Sequence, residues 1–182
     1  MNKAITDGLV LMPPPFSAGL NLWSREDGTV GSASYLGQPN VALVPNDQDF
    51  AGCLEVQKTE ATQKLRSFAF TPIQPGLYLR VTARVKAVSG NLPSVRIAAW
   101  AGDAADANVV GLTQVGPTVA LTSYGEVVTV QAIISPASRT GVDMAWTTQV
   151  ISAHVGLDLT GATGGVVRID DIVVEDVTNI FI

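Results

Sequence analysis

The amino-acid sequence predicts an all-β protein, folded as an antiparallel β-sandwich or a barrel. Apolar residues recur at every second position through much of the chain, which is typical of half-buried strands. Turn signals separate these runs, and the 182 residues include 17 Gly and 10 Pro. No window shows a sustained helical period. With 47% hydrophobic and 15% charged residues, the chain has enough apolar surface to form a folded core.

The clearest strand pattern lies in LYLRVTARVKA, residues 77–87. Its alternate positions separate into an apolar face and a polar face, as expected for a half-buried antiparallel strand. The apolar face contains Leu79, Val81, Ala83, Val85 and Ala87. The same alternation occurs in SVRIAAWA (94–101) and EVVTVQAII (126–134), and it continues through 141–150 and 152–159.

The last strand pattern is VVRIDDIVVEDV, residues 166–177, and it carries two adjacent carboxylates in its middle. The parity of its apolar residues changes between Ile169 and Ile172, as if one extra residue had been inserted. Such an insertion predicts a β-bulge, and Asp170 and Asp171 lie at it. Either acid could turn to the edge, accept backbone N–H groups, or ligate a metal.

The chain is expected to divide into three parts. Residues 1–15 should form an extended arm, because PPP at 13–15 favours polyproline II and cannot continue a helix or a central strand. Residues 16–177 form the sandwich domain, and residues 178–182 leave it as an exit segment. The final NIFI, residues 179–182, would expose apolar surface unless another domain or subunit covers it.

Composition argues against several classes of protein. The net charge is −5 and the basic residues are scattered, which excludes the basic face that nucleic-acid binding needs. No stretch approaches the roughly 20 apolar residues that span a bilayer, so no membrane insertion is expected. The single cysteine, Cys53, cannot form an intrachain disulfide. The apolar run Leu9–Met12 is too short for a signal peptide, so we expect synthesis in the cytoplasm without one.

Six segments occur in an order that resembles a known family. They are GLNLWSREDG, then GCLEV (52–56), QPGLYLRVTARVKA (74–87), SVRIAAW (94–100), ALTSYGEVVTVQAII (120–134) and RIDDIVVEDV (168–177). This order resembles the jelly-roll carbohydrate-binding modules of the family 4, 9 and 22 type, which share the galactose-binding-like β-sandwich. The resemblance covers about residues 16–177. It implies a jelly-roll topology and the binding of polysaccharide, although the same fold serves many purposes.

The start of the chain, MNKAITDGLVLMPPPF, adds a second resemblance. It is similar to modules that precede β-helical domains in bacterial and phage-like surface proteins, including the tailspikes and head spikes of phages and gene transfer agents. This implies a virion-type structural protein on a released phage-like particle, recognising a bacterial surface or capsular polysaccharide for adhesion. The alternative is a structural docking or oligomerisation domain that anchors a spike to a capsid without binding glycan. The expected protein partners are other copies of the chain or a particle protein.

In modules of this fold, aromatic rings stack on the apolar face of a sugar while polar side chains bind its hydroxyls. Trp100 and Arg96 share the face of their strand that lies opposite the core, and Tyr78 and Arg80 share the polar face of theirs. Together these four residues are a candidate carbohydrate-binding platform. Alternatively, Trp100 closes the end of the sandwich, and the polar face around Tyr78 is ordinary solvated surface.

Three further residues are candidates for binding sugar. Asp143 and Gln149 have the parity opposite to Trp146 and could bond hydroxyls. Tyr124 precedes a strand and is either a sugar platform or a turn plug. Trp146 and Trp23 are expected in the core.

Several relatives in this family carry a structural calcium ion that joins the first and last strands through oxygen ligands. Asp170 or Asp171 matches the late ligand of that site. The early Phe-Glu signature is missing, because Ser17 follows Phe16. The resemblance therefore leaves two expectations open, a structural Ca²⁺ at these acids or no cofactor.

Catalysis is poorly supported, and we expect a non-enzyme. The only histidine is His154, and no G-x-S-x-G motif accompanies it. One His and one Cys cannot form the usual zinc site without carboxylates. Paired acids for glycoside hydrolysis could come from Glu126, Asp143, Asp158 and Asp170, but scattered surface acids are the simpler interpretation.

Overall fold

A computed structural model describes residues 15–18, 23–24, 40–67, 71–73, 76–105, 107–135 and 137–181. Within these residues the chain forms two sheets of short strands that pack face to face as a sandwich. Neighbouring strands are antiparallel, apart from one parallel pair at the edge of the second sheet. The predicted fold class, an all-β antiparallel sandwich of jelly-roll type, is confirmed.

The strands have the following bounds and spatial order. Sheet A contains β1 (Trp23–Ser24), β4 (Gln63–Ser67), β11 (Ser152–Thr160), β7 (Ser94–Gly102) and β8 (Val119–Ala120), and β5 (Thr71–Pro72) also pairs with β11. Sheet B contains β10 (Met144–Ala145), β9 (Val128–Ser135), β6 (Leu79–Ser89), β12 (Val166–Ile169), β3 (Cys53–Gln57) and β2 (Val41–Val44), and β13 (Val173–Asp176) also pairs with β6. A 3-10 turn at Phe16–Ala18 and helix α1 (Thr178–Phe181) lie at the two ends of the described chain.

The core lies between the two sheets and is built from the apolar positions of each strand. The five alternating residues of β6, from Leu79 to Ala87, are all buried, as the sequence predicts. Trp23 and Trp146 are fully buried core residues, which confirms both predictions. The Trp146 indole Nε1 donates to the Thr113 carbonyl at 2.7 Å, so this buried donor is satisfied.

The predicted bulge in the last strand is present between β12 and β13. Both strands pair with β6, with Ile169 opposite Val85 and Val173 opposite Thr82. Three residues, 170–172, therefore face the two residues 83–84, which is the one-residue insertion that the parity change indicates. The ladder then resumes, with Ile172 buried in the core.

The outer face of sheet B is covered in part by the loop that follows β2. Lys86 Nζ on β6 donates to Asp47 at 2.6 Å and to Asp49 at 2.7 Å. Arg168 on β12 donates to Asp47 at 2.7 Å and to Glu55 at 2.8 Å. The Asp47 side chain is 1% exposed. Burial acts to raise its pKa, but the hydrogen bonds from Lys86, the Asp49 backbone and Arg168 hold that pKa well below its usual value.

The C-terminal segment folds back onto sheet B. The Phe181 ring of α1 stacks on Tyr78 with centroids 4.6 Å apart, and Val177 and Ile133 pack beside them. Ile180 is 68% exposed, so part of the apolar surface expected at this end is present. The predicted arm lies outside the described residues except for Pro15, and the three-part division of the chain stays a prediction. Among the described helices, none is long and apolar enough to cross a membrane.

Candidate functional site

The outer face of sheet A is polar, yet it is buried. Strand β11 runs through the middle of this sheet, between β4 and β7, and all but one of its nine residues are buried. Its odd-numbered positions face the core, and its even-numbered positions carry Ser152, His154, Gly156 and Asp158 on the other side. A buried strand with polar side chains on its outer face indicates a site, because burying such groups costs free energy unless they are paired.

The strand register arranges this outer face in three rows. The rows are Lys64–Asp158–Arg96, then Arg66–Gly156–Ala98, and then His154–Trp100. Neighbours within a row are about 5 Å apart, and the first and third rows are about 13 Å apart along the strands. A charged row and an aromatic row therefore flank a central row that has only small residues on β11 and β7. We call the three rows the sheet A face.

The glycine in the central row is required by the packing of β4 against β11. A Cβ built on Gly156 would lie 1.7 Å from the Leu65 carbonyl oxygen, and real side chains never approach so closely. With Ala98 beside it, Gly156 makes the central row a strip of small, buried residues between the charged row and Trp100. The requirement for glycine at this position thus follows from a backbone contact.

The charged row contains a buried ion pair with one unused acceptor. Arg96 donates through Nε and Nη2 to the same oxygen, Asp158 Oδ2, at 2.9 and 2.7 Å. Asp158 is fully buried, while the Arg96 side chain is 28% exposed. The other oxygen, Asp158 Oδ1, is buried and accepts no hydrogen bond from the described residues. The hydroxyl of Ser152, further along β11, is likewise buried and unpartnered.

The aromatic row is covered by an arginine. The Arg66 guanidinium lies over the Trp100 ring, 5.6 Å from its centroid, which is a cation–π contact. Trp100 is 3% exposed and Arg66 is 6% exposed. His154 Nδ1 lies 3.0 Å from the Ser67 carbonyl, and because a carbonyl only accepts, Nδ1 carries the hydrogen.

The structure brings together only half of the predicted four-residue platform. Arg96 and Trp100 share the sheet A face, as their parity predicts. Tyr78 precedes β6 and Arg80 lies on β6, which belongs to sheet B, so they lie on the opposite side of the sandwich. Arg80 bonds Glu175 at 2.9 Å, and Tyr78 is buried beneath Phe181. The single platform is therefore wrong, because β6 and β7 are consecutive in sequence but belong to different sheets.

The other three sugar-binding candidates lie outside the rows of the sheet A face. Asp143 Oδ2 accepts the backbone N–H of Ile133 at 2.7 Å, which is a structural role beside β9. Gln149 lines an open groove of about 490 Å³ together with residues 103–105. Tyr124 is 57% exposed, and its hydroxyl donates to the Gly90 carbonyl, so the ring is held at a loop tip.

The two acids at the bulge each have a protein partner. Arg84 Nε donates to Asp170 at 3.0 Å, and Asp171 Oδ1 accepts the backbone N–H of Phe16 at 2.8 Å. Burial raises the pKa of Asp171, and the nearby Asp170 charge adds to this. Within the described part of the chain, no three His, Cys, Asp or Glu side chains cluster to hold a metal. The geometry gives the calcium prediction no support, because the Arg84 guanidinium already supplies positive charge there.

Several residues of the sheet A face were missed by sequence reasoning, namely Arg66, Ser152, His154 and Asp158. A signal existed, since SAHVGLDL places three of them at one parity of one strand. No comparable signal indicated that these residues would lie beside Arg66 and Trp100, because the contacts join strands far apart in sequence. Asp158 and Arg96 are 62 residues apart, and His154 and Ser67 are 87 apart.

Comparison with solved structures identifies the architecture. The CBM22-1 xylan-binding domain of Paenibacillus barcinonensis Xyn10C matches with a TM-score of 0.58 and 16% identity, over 92% of this chain and 94% of that one. TmCBM61, solved with β-1,4-galactotriose, matches with a TM-score of 0.53 and 12% identity, over 90% and 94%. Tailspike protein 4 of bacteriophage CBA120 matches with a TM-score of 0.51 and 11% identity, over 92% of this chain and 22% of the tailspike chain.

The chain has the fold of the jelly-roll carbohydrate-binding modules. The resemblance drawn from its ordered segments is therefore confirmed at the level of the fold. Identities of 16% and below establish the fold alone. The sequence matches no protein-family profile, and no curated protein matches it.

Proposed function

We propose that this chain is a non-catalytic carbohydrate-binding module whose glycan lies on the sheet A face. The observation that carries the proposal is Asp158 Oδ1, a buried carboxylate oxygen that accepts no hydrogen bond from the described residues, two residues from Gly156 on β11. Buried polar atoms in native proteins are nearly always hydrogen-bonded. A sugar hydroxyl is a suitable donor for such an acceptor.

The remaining groups of the sheet A face suit the other parts of a sugar. The Trp100 ring offers an aromatic surface for the apolar side of a pyranose. The partly exposed Arg96 guanidinium can donate to ring or hydroxyl oxygens of a sugar. A few convergent polar groups beside an aromatic surface are typical of small-ligand sites.

Binding by stacking requires Arg66 to turn away from the ring. Its guanidinium lies over Trp100, and the ring is 3% exposed in this conformation. We therefore expect a change of the Arg66 rotamer on binding, which a structure of the complex would record.

The wider setting rests on the comparisons. Neighbours of the same fold bind xylan or β-1,4-galactotriose, which supports a polysaccharide as the ligand. The tailspike neighbour supports a place in a spike of a phage-like particle that recognises a bacterial surface polysaccharide. Weak binding by each module would be strengthened by several copies on one particle.

The test is retention of the purified chain on immobilised xylan, galactan and bacterial capsular polysaccharides. We expect retention on at least one of them. Trp100→Ala and Asp158→Asn should each weaken it at least tenfold, because they remove the stacking surface and the hydroxyl acceptor. Tyr124→Ala, at the exposed loop tip, serves as the matched control and should bind normally. Retention unchanged in Trp100→Ala and Asp158→Asn would place the ligand elsewhere.

A docking role without glycan is the second candidate, and the exposed Ile180 beside the docked Phe181 favours it. It predicts a discrete multimer in light scattering and no retention on any polysaccharide. Deletion of residues 1–15 should then abolish the multimer. A monomer that is retained on polysaccharide would remove this candidate.

A further inference from the structure

An open groove of about 490 Å³ lies beyond one end of sheet A, where β7 ends and β11 begins. We call it the β7–β11 groove, and it is lined by Asp103, Ala104, Ala105, Asn108, Val109 and Gln149. Its volume is in the range of small-ligand sites, about 300–1,000 Å³. In contrast to the buried rows of the sheet A face, this groove has exposed polar residues, Asn108 and Gln149, and the partly exposed Asp103. A ligand can therefore reach it without displacing any side chain of the sheet.

The Asp103 carboxylate is held in place by its own loop. Its Oδ1 accepts the backbone N–H groups of Ala105 at 2.8 Å and Ala107 at 3.0 Å. The Asp103 N–H donates in turn to the Ala107 carbonyl at 3.1 Å. Within the described part of the chain, the other carboxylate oxygen, Oδ2, accepts no hydrogen bond. An acceptor that is already fixed in position suits a ligand hydroxyl, because little conformational freedom is lost on binding.

Both walls of the groove are attached to the end of β7 by backbone hydrogen bonds. On one side, the Val109 N–H donates to the Ala101 carbonyl at 2.9 Å. On the other side, the Ile151 N–H, two residues after Gln149, donates to the Gly102 carbonyl at 3.0 Å. Adjacent residues of one strand thus hold both walls, which fixes the separation of the two walls before any ligand binds.

The side chains that line the groove match the chemistry of a neutral sugar. They offer one carboxylate and two primary amides, and sugar hydroxyls can both donate to and accept from such groups. The methyl groups of Ala104, Ala105 and Val109 provide apolar contacts for the C–H groups of a sugar ring. Among the described lining residues, Asp103 alone carries a charge, so an anionic ligand would meet a like charge without a counter-charge beside it.

We propose that the β7–β11 groove binds a neutral sugar residue of the glycan, with Asp103 Oδ2 accepting one hydroxyl and the amides of Asn108 and Gln149 bonding its neighbours. This inference rests on the proposed function and adds a subsite outside the sheet A face. Asp103 lies three residues beyond Trp100, which is about 10 Å along the strand direction. A glycan of several sugar residues can therefore reach both places.

The test is affinity electrophoresis of the unaltered protein and its variants in gels that contain xylan, galactan, glucomannan or polygalacturonate. We expect at least one of the three neutral polymers to retard the protein. Asp103→Asn keeps a carbonyl oxygen to bond the loop but replaces the charged acceptor by a donor, so it should weaken retention at least tenfold. Gln149→Ala removes an exposed amide and should weaken it about fivefold.

Two matched controls lie on the other sheet. Asp176 also accepts a backbone N–H two residues further on, that of Thr178 at 2.9 Å, so Asp176→Asn repeats the change of charge away from the groove. Gln131 is exposed on β9, so Gln131→Ala repeats the loss of an exposed amide. Both controls should bind as the unaltered protein does, and melting curves show whether each variant is folded. Equal retention of Asp103→Asn and Asp176→Asn would overturn the proposal.

Nuclear magnetic resonance tests contact directly. The side-chain NH₂ signals of Asn108 and Gln149 should shift when oligosaccharides prepared from the retarding polymer are added to the unaltered protein. The NH₂ signal of Gln131 should not move. Groove signals that stay unchanged at saturation would overturn the assignment, whatever the variants show.

The outcomes separate the groove from the proposed function on which it rests. Retention that is lost in Trp100→Ala but unchanged in both groove variants would reject the groove and keep the carbohydrate-binding function. Retention on polygalacturonate alone would reject the neutral sugar. Retention that is lost in the groove variants but unchanged in Trp100→Ala would support the groove and reject the sheet A face as the binding surface. Retention on no polymer would reject both proposals.

Discussion

Asp47 shows how one residue can hold a loop against a sheet. Its carboxylate is 1% exposed and joins Lys86 of β6 to Arg168 of β12, so a loop residue ties two strands together. A buried ion pair contributes little compared with an apolar replacement, but removing one partner leaves the remaining buried charges poorly compensated. Without Asp47, Lys86 would keep only Asp49 and Arg168 only Glu55. Losing Asp47 should therefore destabilise the folded protein, because Lys86 and Arg168 keep their charges and each loses a partner.

We expect Asp47→Asn to lower the free energy of unfolding by about 3 kcal/mol, as for other buried pairs that lose one partner. Asp49→Asn is the matched control, because Asp49 contacts the same lysine with a side chain that is 36% exposed, and it should cost less than about 1 kcal/mol. Urea unfolding at pH 7 measures both. Equal effects of the two variants would contradict the role assigned to burial.

The same residue predicts a pH dependence. The pKa of Asp47 in the folded protein lies well below its ordinary value of 3.8. As the pH falls, the Asp47 carboxylate is therefore protonated in the unfolded chain before it is protonated in the folded protein. The stabilisation from Asp47 is complete above that ordinary value and is lost progressively below it. Urea unfolding from pH 6 to pH 2.5 should show a steeper loss for the unaltered protein than for Asp47→Asn. Parallel curves would show that Asp47 is not the titrating group.

At the scale of elements, the approach of β4 to β11 decides what the sheet A face can be. The strands approach so closely at Gly156 that no side chain fits there, because the Leu65 backbone fills the space that a Cβ would need. The two-residue period predicts each strand, but it contains nothing about which strands become neighbours. This is why Arg66, on β4, was missing from the predicted site.

Gly156→Ala should destabilise the protein by about 3 kcal/mol or more, because the added methyl group meets backbone that can move only by separating the strands. Gly76→Ala is a useful contrast, since its Cβ would meet nothing within 4 Å and the cost is limited to a φ of +83°. That strain is about 1–2 kcal/mol. Thermal unfolding of both variants tests the difference. A smaller loss of stability at Gly156 than at Gly76 would show that β4 can move away from β11 and accommodate the methyl group.

At the scale of the whole molecule, a hydrogen bond joins the first described segment of the sandwich to the bulge between its last two strands. The backbone N–H of Phe16 donates to Asp171 at the bulge, and Arg84 neutralises Asp170. The Arg84 guanidinium thus supplies positive charge at the bulge, and the Phe16 hydrogen bond connects the bulge to the start of the described chain.

We therefore expect the melting temperature to be the same in millimolar Ca²⁺ and after exhaustive treatment with chelator. The physical reason is that a bound cation would have to displace the Arg84 pair and the Phe16 hydrogen bond. Differential scanning calorimetry of the two samples measures this. A calcium-dependent rise in melting temperature would restore the metal site that the family resemblance implies.

Local patterns in the sequence were enough to predict most of the strands, the core face of β6, the bulge at Asp170 and Asp171, and the core positions of Trp23 and Trp146. These features depend on the side-chain period of a strand, which is local and can be counted along the chain. The folded structure was needed to show that Arg80 and Arg96 lie on opposite sides of the sandwich, and that Arg66, Trp100, His154 and Asp158 share one face. The reason is that strand neighbours are chosen by the packing of the whole core, between residues tens of positions apart, and no local period records that choice.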